Sequence, residues 1–457
     1  MEVFLIKTLQ LLLCFSLLIL LHEGGHFFFA KIFHVRVEKF CLFFDPWKSW
    51  KIFSWKGTDY HIGWLPLGGY VKISGMIDES MDKEQLKQPV QPWEFRAKPA
   101  WQRLLIMVGG VLVNFLLALF IYAMILFAWG DTYTPIQNVK NGFKFNESAQ
   151  KLGFRDGDIL LATDAKTFDR FSADVYRDLS EAKSVTVLRQ GERVTFGLPG
   201  DLNMLEMLQS QPPFVSPLMP SVIDEVVAGS PAERAGIRAA DRMIGFNGHP
   251  MATWNEFDLQ MTDLQSSIAA YTEEGNQRMA DSLRRVVVVV QHAGVAQPDT
   301  LSFALNAQGQ MGIMKHNPFA DYGTVTREYG FFESFPAGIS HGVDVLVGYV
   351  DDLQYVFTSD GAKSIGSFGT IGSLFPAQWD WLRFWELTAF ISIMLAFVNI
   401  LPIPALDGGH VLFLLYEVVT RRKPSERFME RAQIVGMCFL FALMAFAIFN
   451  DVLRFVF

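Results

Sequence analysis

The stretch Leu104–Trp129 contains no charged residue, and that narrows the architecture more than any other feature of the chain. About 20 apolar residues suffice to cross the hydrocarbon core as a helix, and in lipid a backbone can satisfy its own polar groups only as a helix or a closed barrel. Three further runs have the same character. Val3–Leu21 carries one charge, Lys7, and continues through a short polar patch to Phe33, while Leu387–Leu406 and Ala432–Asn450 carry none. The expected fold is a polytopic α-helical membrane protein with four transmembrane helices, in keeping with 51% hydrophobic and 14% aromatic residues. The first run lacks a small-residue cleavage site and leads directly into chemistry-bearing residues, so it reads as a retained helix rather than a signal peptide.

Charge and cysteine content exclude several classes. The net charge of -8 is dispersed, which leaves no basic surface for nucleic acid. Cys14, Cys41 and Cys438 stand apart in sequence and supply neither a disulfide framework nor a cysteine zinc site. Arg421, Arg422, Lys423, Arg427 and Arg431, together with the Lys- and Arg-rich segment between Lys31 and Arg103, mark the cytoplasmic side by the positive-inside rule. Both termini and the long segment from about 130 to 385 then face the opposite side.

The polar patch that ends the first run is His22-Glu23-Gly24-Gly25-His26. On a helix, His22 and His26 project from one face a turn apart, the spacing needed by two ligands of one zinc ion, with Glu23 beside the metal. A carboxylate there can take a proton from water and deliver it to a leaving amine, so H-E-x-x-H reads as a hydrolytic metal site. A structural cluster of the same residues is the alternative, but ionisable groups inside a membrane segment are costly enough that function is the default reading. Catalytic zinc needs three protein ligands and an open position. The third run ends in Asn399-Ile400-Leu401-Pro402-Ile403-Pro404-Ala405-Leu406-Asp407-Gly408-Gly409-His410, where two prolines break the helix at membrane depth. Irregular backbone there must line a protein cavity. Asp407 is the best third ligand. His410 ranks below it, and capping of the helix that follows is the other role open to Asp407.

Between the first two membrane segments, Val35–Phe40 alternates apolar and polar, and Tyr60–Ile73 is a second extended run. Joined through Asp45-Pro46-Trp47 they would form a membrane-associated β-hairpin. Leu67-Gly68-Gly69-Tyr70-Val71-Lys72 is its candidate edge, where an unwound substrate could regain backbone hydrogen bonds by strand addition. An ordinary cytoplasmic hairpin is the alternative. Gly109, Gly110 and Asn114 in the second membrane segment read as helix-packing residues.

Asn146–Leu160 and Gly229–Ile244 share one pattern, a small-residue helix, a glycine turn, then an aspartate leading into a strand, with β-rich runs following at Ser184–Leu188 and Arg285–Gln291. A repeat of this length means tandem domains, and the pattern resembles two α+β PDZ-like domains in series. Beyond them Ile339, Val343, Leu346, Val350, Leu353 and Phe357 form one apolar helical face, expected to pack beneath the repeat pair rather than lie on the outer membrane surface. The resulting domain plan is a first membrane helix at 1–33, the β region at 34–100, and a second membrane helix at 101–130. PDZ-like domains follow at 131–212 and 213–316, an amphipathic helix with linker at 317–384, and membrane helices at 385–420 and 428–457.

HEGGH at 22–26, N-x-x-P-x-P-x-x-D-G-G at 399–409 and the paired PDZ-like domains together resemble the site-2 protease family of intramembrane zinc metalloproteases, in its Gram-negative form with tandem PDZ domains. The resemblance implies Zn2+ held by His22, His26 and Asp407, with Glu23 as general base and later acid. Asn399 would hold the substrate backbone, and Gly68, Gly69, Tyr70 and Val71 would lie in the clamping edge strand. It further implies regulated intramembrane proteolysis in the inner membrane, with the PDZ-like domains periplasmic and the active site in the cytoplasmic half of the bilayer. Substrates would be single-pass transmembrane proteins of the anti-sigma factor type and signal-peptide remnants. The rival class is a PDZ-bearing scaffold or metal transporter. A conduction path should need further ionisable residues, and the second and fourth apolar runs have none.

Overall fold

The computed structural model describes residues 2–455 apart from 46–47, 66–67, 77–88, 173, 308, 318 and 320. The chain divides into two compact units, one of residues 1–131 with 327–457 and one of residues 132–326.

In the first unit the apolar runs become helices α1 (Glu2–Ile32), α2 (Ala100–Trp129), α5 (Trp381–Ile400) and α7 (Glu426–Phe455). Among the described residues these four are long and apolar enough to cross a membrane. Their ends follow local chemistry. Pro99 starts α2 and Gly130, at φ 68°, stops it, while the Asp380 side chain accepts the Leu382 and Arg383 amides at the start of α5. After Ile400 the two prolines end α5, Ala405 takes a left-handed φ of 81°, and a separate helix α6 (Asp407–Thr420) begins. Gly408 and Gly409 are required in this break, because a Cβ on either would overlap the carbonyls of Leu401 or Ile403.

Further helices belong to the unit, a short one at Ser359–Ser364 among them. α3 (Phe331–Val356) packs along α2 and touches α5, and α4 (Phe368–Leu374) precedes α5. The contact face of α3 differs from the expected one. Ser334, Gly338 and Gly342 are buried, with Gly338 on the Ala123 backbone and Gly342 on Leu119, whereas Ile339, Val343, Val350 and Phe357 are exposed. Small residues one turn apart let two backbones approach closely, and that contact outcompetes the apolar stripe.

The β region is a four-stranded sheet rather than one hairpin. Its strands are β1 (Val37–Leu42), β2 (Trp50–Trp55), β3 (Thr58–Ile62) and β4 (Tyr70–Ile73), in the order β2-β3-β1-β4. β1 runs parallel to β3, with Phe40 opposite Tyr60, and antiparallel to β4, with Phe40 opposite Val71. The hairpin within it is β2–β3, turned by Lys56 and Gly57, both at positive φ, the backbone that suits the twist of a tight hairpin. β2 escaped the alternation test because it is apolar on both faces, with Trp50, Ile52, Phe53 and Trp55 all exposed. Of the expected hairpin joint, Pro46 and Trp47 lie outside the described residues. The inner face of the sheet, Val37, Phe40, Val71 and Ile73, packs on Ala30 of α1 and Ile106 and Met107 of α2. β4 is thereby held against the metal-motif helix, at the end of the strand order among the described residues.

The second unit contains two halves of related local structure. In the first, Asn146 caps the helix Glu147–Lys151, and strands Ile159–Thr163, Ser184–Arg189 and Glu192–Gly197 form an antiparallel sheet. In the second, Ser230 caps Pro231–Ala235, and the sheet orders His249–Pro250, Arg242–Phe246, Arg285–Gln291 and Asp299–Ala304. Each half closes its own apolar core, around Phe143, Phe154 and Leu160 in one and around Phe246, Trp254 and Val288 in the other.

Candidate metal centre

α1 carries His22 and His26 on the face turned to α2, their rings 4.9 Å apart and nearly perpendicular. What allows this is Gly110. A Cβ there would lie 2.5 Å from His26 Nε2 and 2.7 Å from His22 Cε1, so only glycine leaves room for both imidazoles between the helices. Gly25 and Gly109 face each other one step along the same contact, where a side chain on Gly25 would overlap the Gly109 carbonyl. The approach of α1 to α2 and the position of the rings are therefore one packing solution.

Asp407 arrives from the proline break. Its Oδ2 lies 3.2 Å from His22 Nε2 and 3.3 Å from His26 Nε2, and the two Nε2 atoms are 3.3 Å apart. A tetrahedral zinc ion with bonds of about 2.0–2.1 Å sets its ligand atoms about 3.3 Å apart, so the three atoms outline one face of such a site and leave the fourth position open. Two further observations fit a metal. Asp407 is the first residue of α6 and its side chain makes no cap bond, so the competing capping role is not taken. Its Oδ2 is also buried without any hydrogen-bond donor, a costly state for a carboxylate that a cation would relieve. Among the described residues this is the one group of three or more possible ligands that converges. His410 lines the same cavity but is outside that triangle.

The ring nitrogens opposite the cluster are also engaged. His26 Nδ1 is 2.8 Å from the Ile106 carbonyl, and His22 Nδ1 is 3.4 Å from the Asn114 amide nitrogen. Ser392 of α5 in turn donates to the Asn114 carbonyl at 2.7 Å. Ile106, Gly110 and Asn114 recur at four-residue steps along one face of α2. The sequence pointed to Gly110 and Asn114 as packing residues only. Their spacing was the signal that they serve the opposite helix.

Around the triangle lies a cavity of about 300 Å³, lined by Glu23, Gly68–Val71 and Asn399 together with Asn114 and Gln433. Glu23 lines this cavity beside Val71, and Gly69 lies against the Glu23 side chain. His22, Glu23, His26, Gly68–Val71, Asn399, Asp407 and His410 thus border one space, whereas Lys72 of the expected edge strand is not in its lining and Leu67 lies outside the described residues. Gln433, buried on α7, had no sequence signal beyond being polar in an apolar run.

Comparison with known proteins bears on this arrangement. The model of peptidase family M50 matches residues 10–443, nearly the whole chain and both halves of the metal cluster. The chain belongs to peptidase family M50. Among relatives, it is 28% identical to the regulator of sigma-E protease RseP of Escherichia coli K12, with 99% of each chain covered. It is likewise 28% identical to the protease RseP of Yersinia pestis, with 96% of each covered, and 27% identical to a Vibrio cholerae protein whose name carries the words zinc metalloprotease, with 97% of each covered. This M50 chain is a zinc-dependent metalloendopeptidase carrying four helices fit to span a membrane.

Proposed function

We propose that the chain cuts peptide bonds within transmembrane segments of single-pass membrane proteins, with His22, His26 and Asp407 as zinc ligands and Glu23 as general base. The observation that carries this reading is the triangle of 3.2–3.3 Å among two imidazole nitrogens on α1, a helix of membrane-spanning length, and a carboxylate oxygen at the start of α6. A zinc ion held by His22, His26 and Asp407 would supply Lewis acidity toward the scissile carbonyl and water. Glu23 takes the proton of that water and returns it to the leaving amine nitrogen, so one carboxylate serves as base and then acid.

A substrate helix must first give up its own hydrogen bonds, because its carbonyls are otherwise occupied. The outer edge of β4 replaces them. Gly68 and Gly69 admit a close backbone, and Tyr70 and Val71 offer a strand to pair with, beside Glu23. Asn399, which also lines the cavity, holds the freed backbone through its amide. The two halves of residues 132–326 act as PDZ-like modules that exclude substrates with an intact outer domain. In a Gram-negative inner membrane the arginine cluster at 421–431 faces the cytoplasm, and both termini and the PDZ-like pair face the periplasm. Anti-sigma factors and signal-peptide remnants are the substrate types that fit, in line with relatives named for sigma-E regulation.

The test is Glu23→Gln in purified full-length protein, with zinc content and cleavage of a model transmembrane substrate measured together. Zinc retained with cleavage lost is the expected result. A variant that keeps zinc and still cleaves removes Glu23 from the mechanism.

A further inference from the structure

Neutral imidazole has one N–H. When a metal takes Nε2, the proton must sit on Nδ1, and that N–H needs an acceptor to hold the ring in place. For His26 the acceptor is a fixed main-chain atom, the Ile106 carbonyl at 2.8 Å. For His22 the group at Nδ1 is the Asn114 side chain, which is 1% exposed. Its two terminal atoms are in unequal situations. The nitrogen lies 3.4 Å from His22 Nδ1, whereas the oxygen is buried with no donor. With Nε2 on a metal, this orientation sets donor against donor and leaves the amide oxygen unmet. Half a turn of the amide brings the oxygen onto Nδ1–H and removes both conflicts. The backbone around it cannot drift, since Ser392 of α5 is bonded to the Asn114 carbonyl at 2.7 Å and is itself fully buried.

We propose that Asn114 is a positioning residue for the metal: through its amide oxygen it accepts the Nδ1–H of His22, selects the tautomer that presents Nε2, and ties that ligand to α2 and α5. This rests on the zinc-ligand reading above. His26 has its tautomer set by main chain and is indifferent to side-chain replacement, so the exchangeable half of the second layer is concentrated in one residue.

The experiment uses full-length protein in detergent, stripped of metal and titrated with zinc against a competing chelator, with cobalt absorption as a second readout. Asn114→Leu keeps the branched four-atom shape of the side chain and cannot accept a hydrogen bond, while Asn114→Asp keeps an acceptor. Loss of an outer partner of a histidine ligand typically costs about 10–100-fold in metal affinity. Asn114→Leu should weaken zinc by that factor and alter the cobalt spectrum, with the helical circular dichroism of the metal-free protein unchanged. Asn114→Asp should stay within a few-fold of the parent. Parent-like affinity in Asn114→Leu overturns the proposal, and so does an equal loss in both variants, because then retaining an acceptor makes no difference. If the parent chain itself fails to bind zinc, or His22→Ala binds it equally well, the ligand assignment fails instead.

Discussion

Two aspartates, one in each unit, have opposite surroundings, Asp158 being buried and Asp407 half-buried with its Oδ2 shut off from solvent. Asp158, 1% exposed in the first half of residues 132–326, is met by donors on both oxygens: Arg189 Nε at 2.8 Å and Nη2 at 2.7 Å, and the Arg155 amide at 2.9 Å. Asp241 repeats the arrangement in the second half, accepting the Arg238 amide and His292 Nδ1, each at 2.8 Å. The position three residues upstream is the same in both, so this is one loop device used twice. Asp407 has no such donors. Its partners are two imidazoles that face it with the nitrogens they would offer a cation, and one of its oxygens is unmet. Burial of a carboxylate is thus uninformative by itself. What separates a structural aspartate from a ligand is whether the fold supplies its counter-groups or leaves the last one out.

That contrast can be broken from either side. The largest effect is expected for Asp407→Asn. Because an outer partner alone is worth about 10–100-fold in metal affinity, loss of a direct ligand should cost more than about 100-fold and abolish cleavage. Metal analysis of the purified variant checks this, and hydrogen exchange in the strands of residues 132–326 should not change. Asp158→Asn should do the reverse. Arg189 is left without its buried counter-charge, which is worth about 3 kcal/mol, so exchange protection in Ile159–Thr163 and Ser184–Arg189 should fall while zinc content holds. Loss of zinc in that variant would mean that the two aspartates are not separable.

The smallest effect concerns an exposed pair in the second unit. Asp321, 2.6 Å from His316 Nε2, holds that imidazole above its ordinary pKa, with Asp224 contributing at 3.5 Å. A raised folded-state value means that the protonated histidine stabilises the fold. The contribution is complete below about pH 6.5, the unfolded value, and fades as pH climbs through the raised one. Relative to Asp321→Asn, the parent chain should gain on the order of 1 °C in the unfolding midpoint at pH 6 and lose that margin at alkaline pH, the effect being small because the pair is solvated. An equal margin at both pH values would assign the contact to packing.

Much of the membrane unit was legible because apolar runs and proline breaks act locally. A continuous apolar run of about 20 residues can satisfy its own backbone in lipid only as a helix, and Pro402 and Pro404 end one where they stand. The sheet was only half legible. Parallel pairing of β1 with β3 leaves no trace in either strand, and β2, apolar on both faces, does not alternate. α3 misled for a related reason: its most apolar stripe suggested the packing face, but the close approach of two backbones is decided by the smallest residues, Gly338 and Gly342.

By itself the sequence determined which segments are long and apolar enough to cross a membrane, that two imidazoles share one helical face beside Glu23, and that a carboxylate follows a broken helix far along the chain. These depend on composition and on the periodicity of a single element. Only the tertiary structure decided that Asp407 reaches the two rings, that Gly110 must lack a side chain for them to fit, and that Asn114 stands behind His22. Those facts concern distances between α1, α2 and α6, which no one segment encodes and which close packing settles to within a few tenths of an ångström.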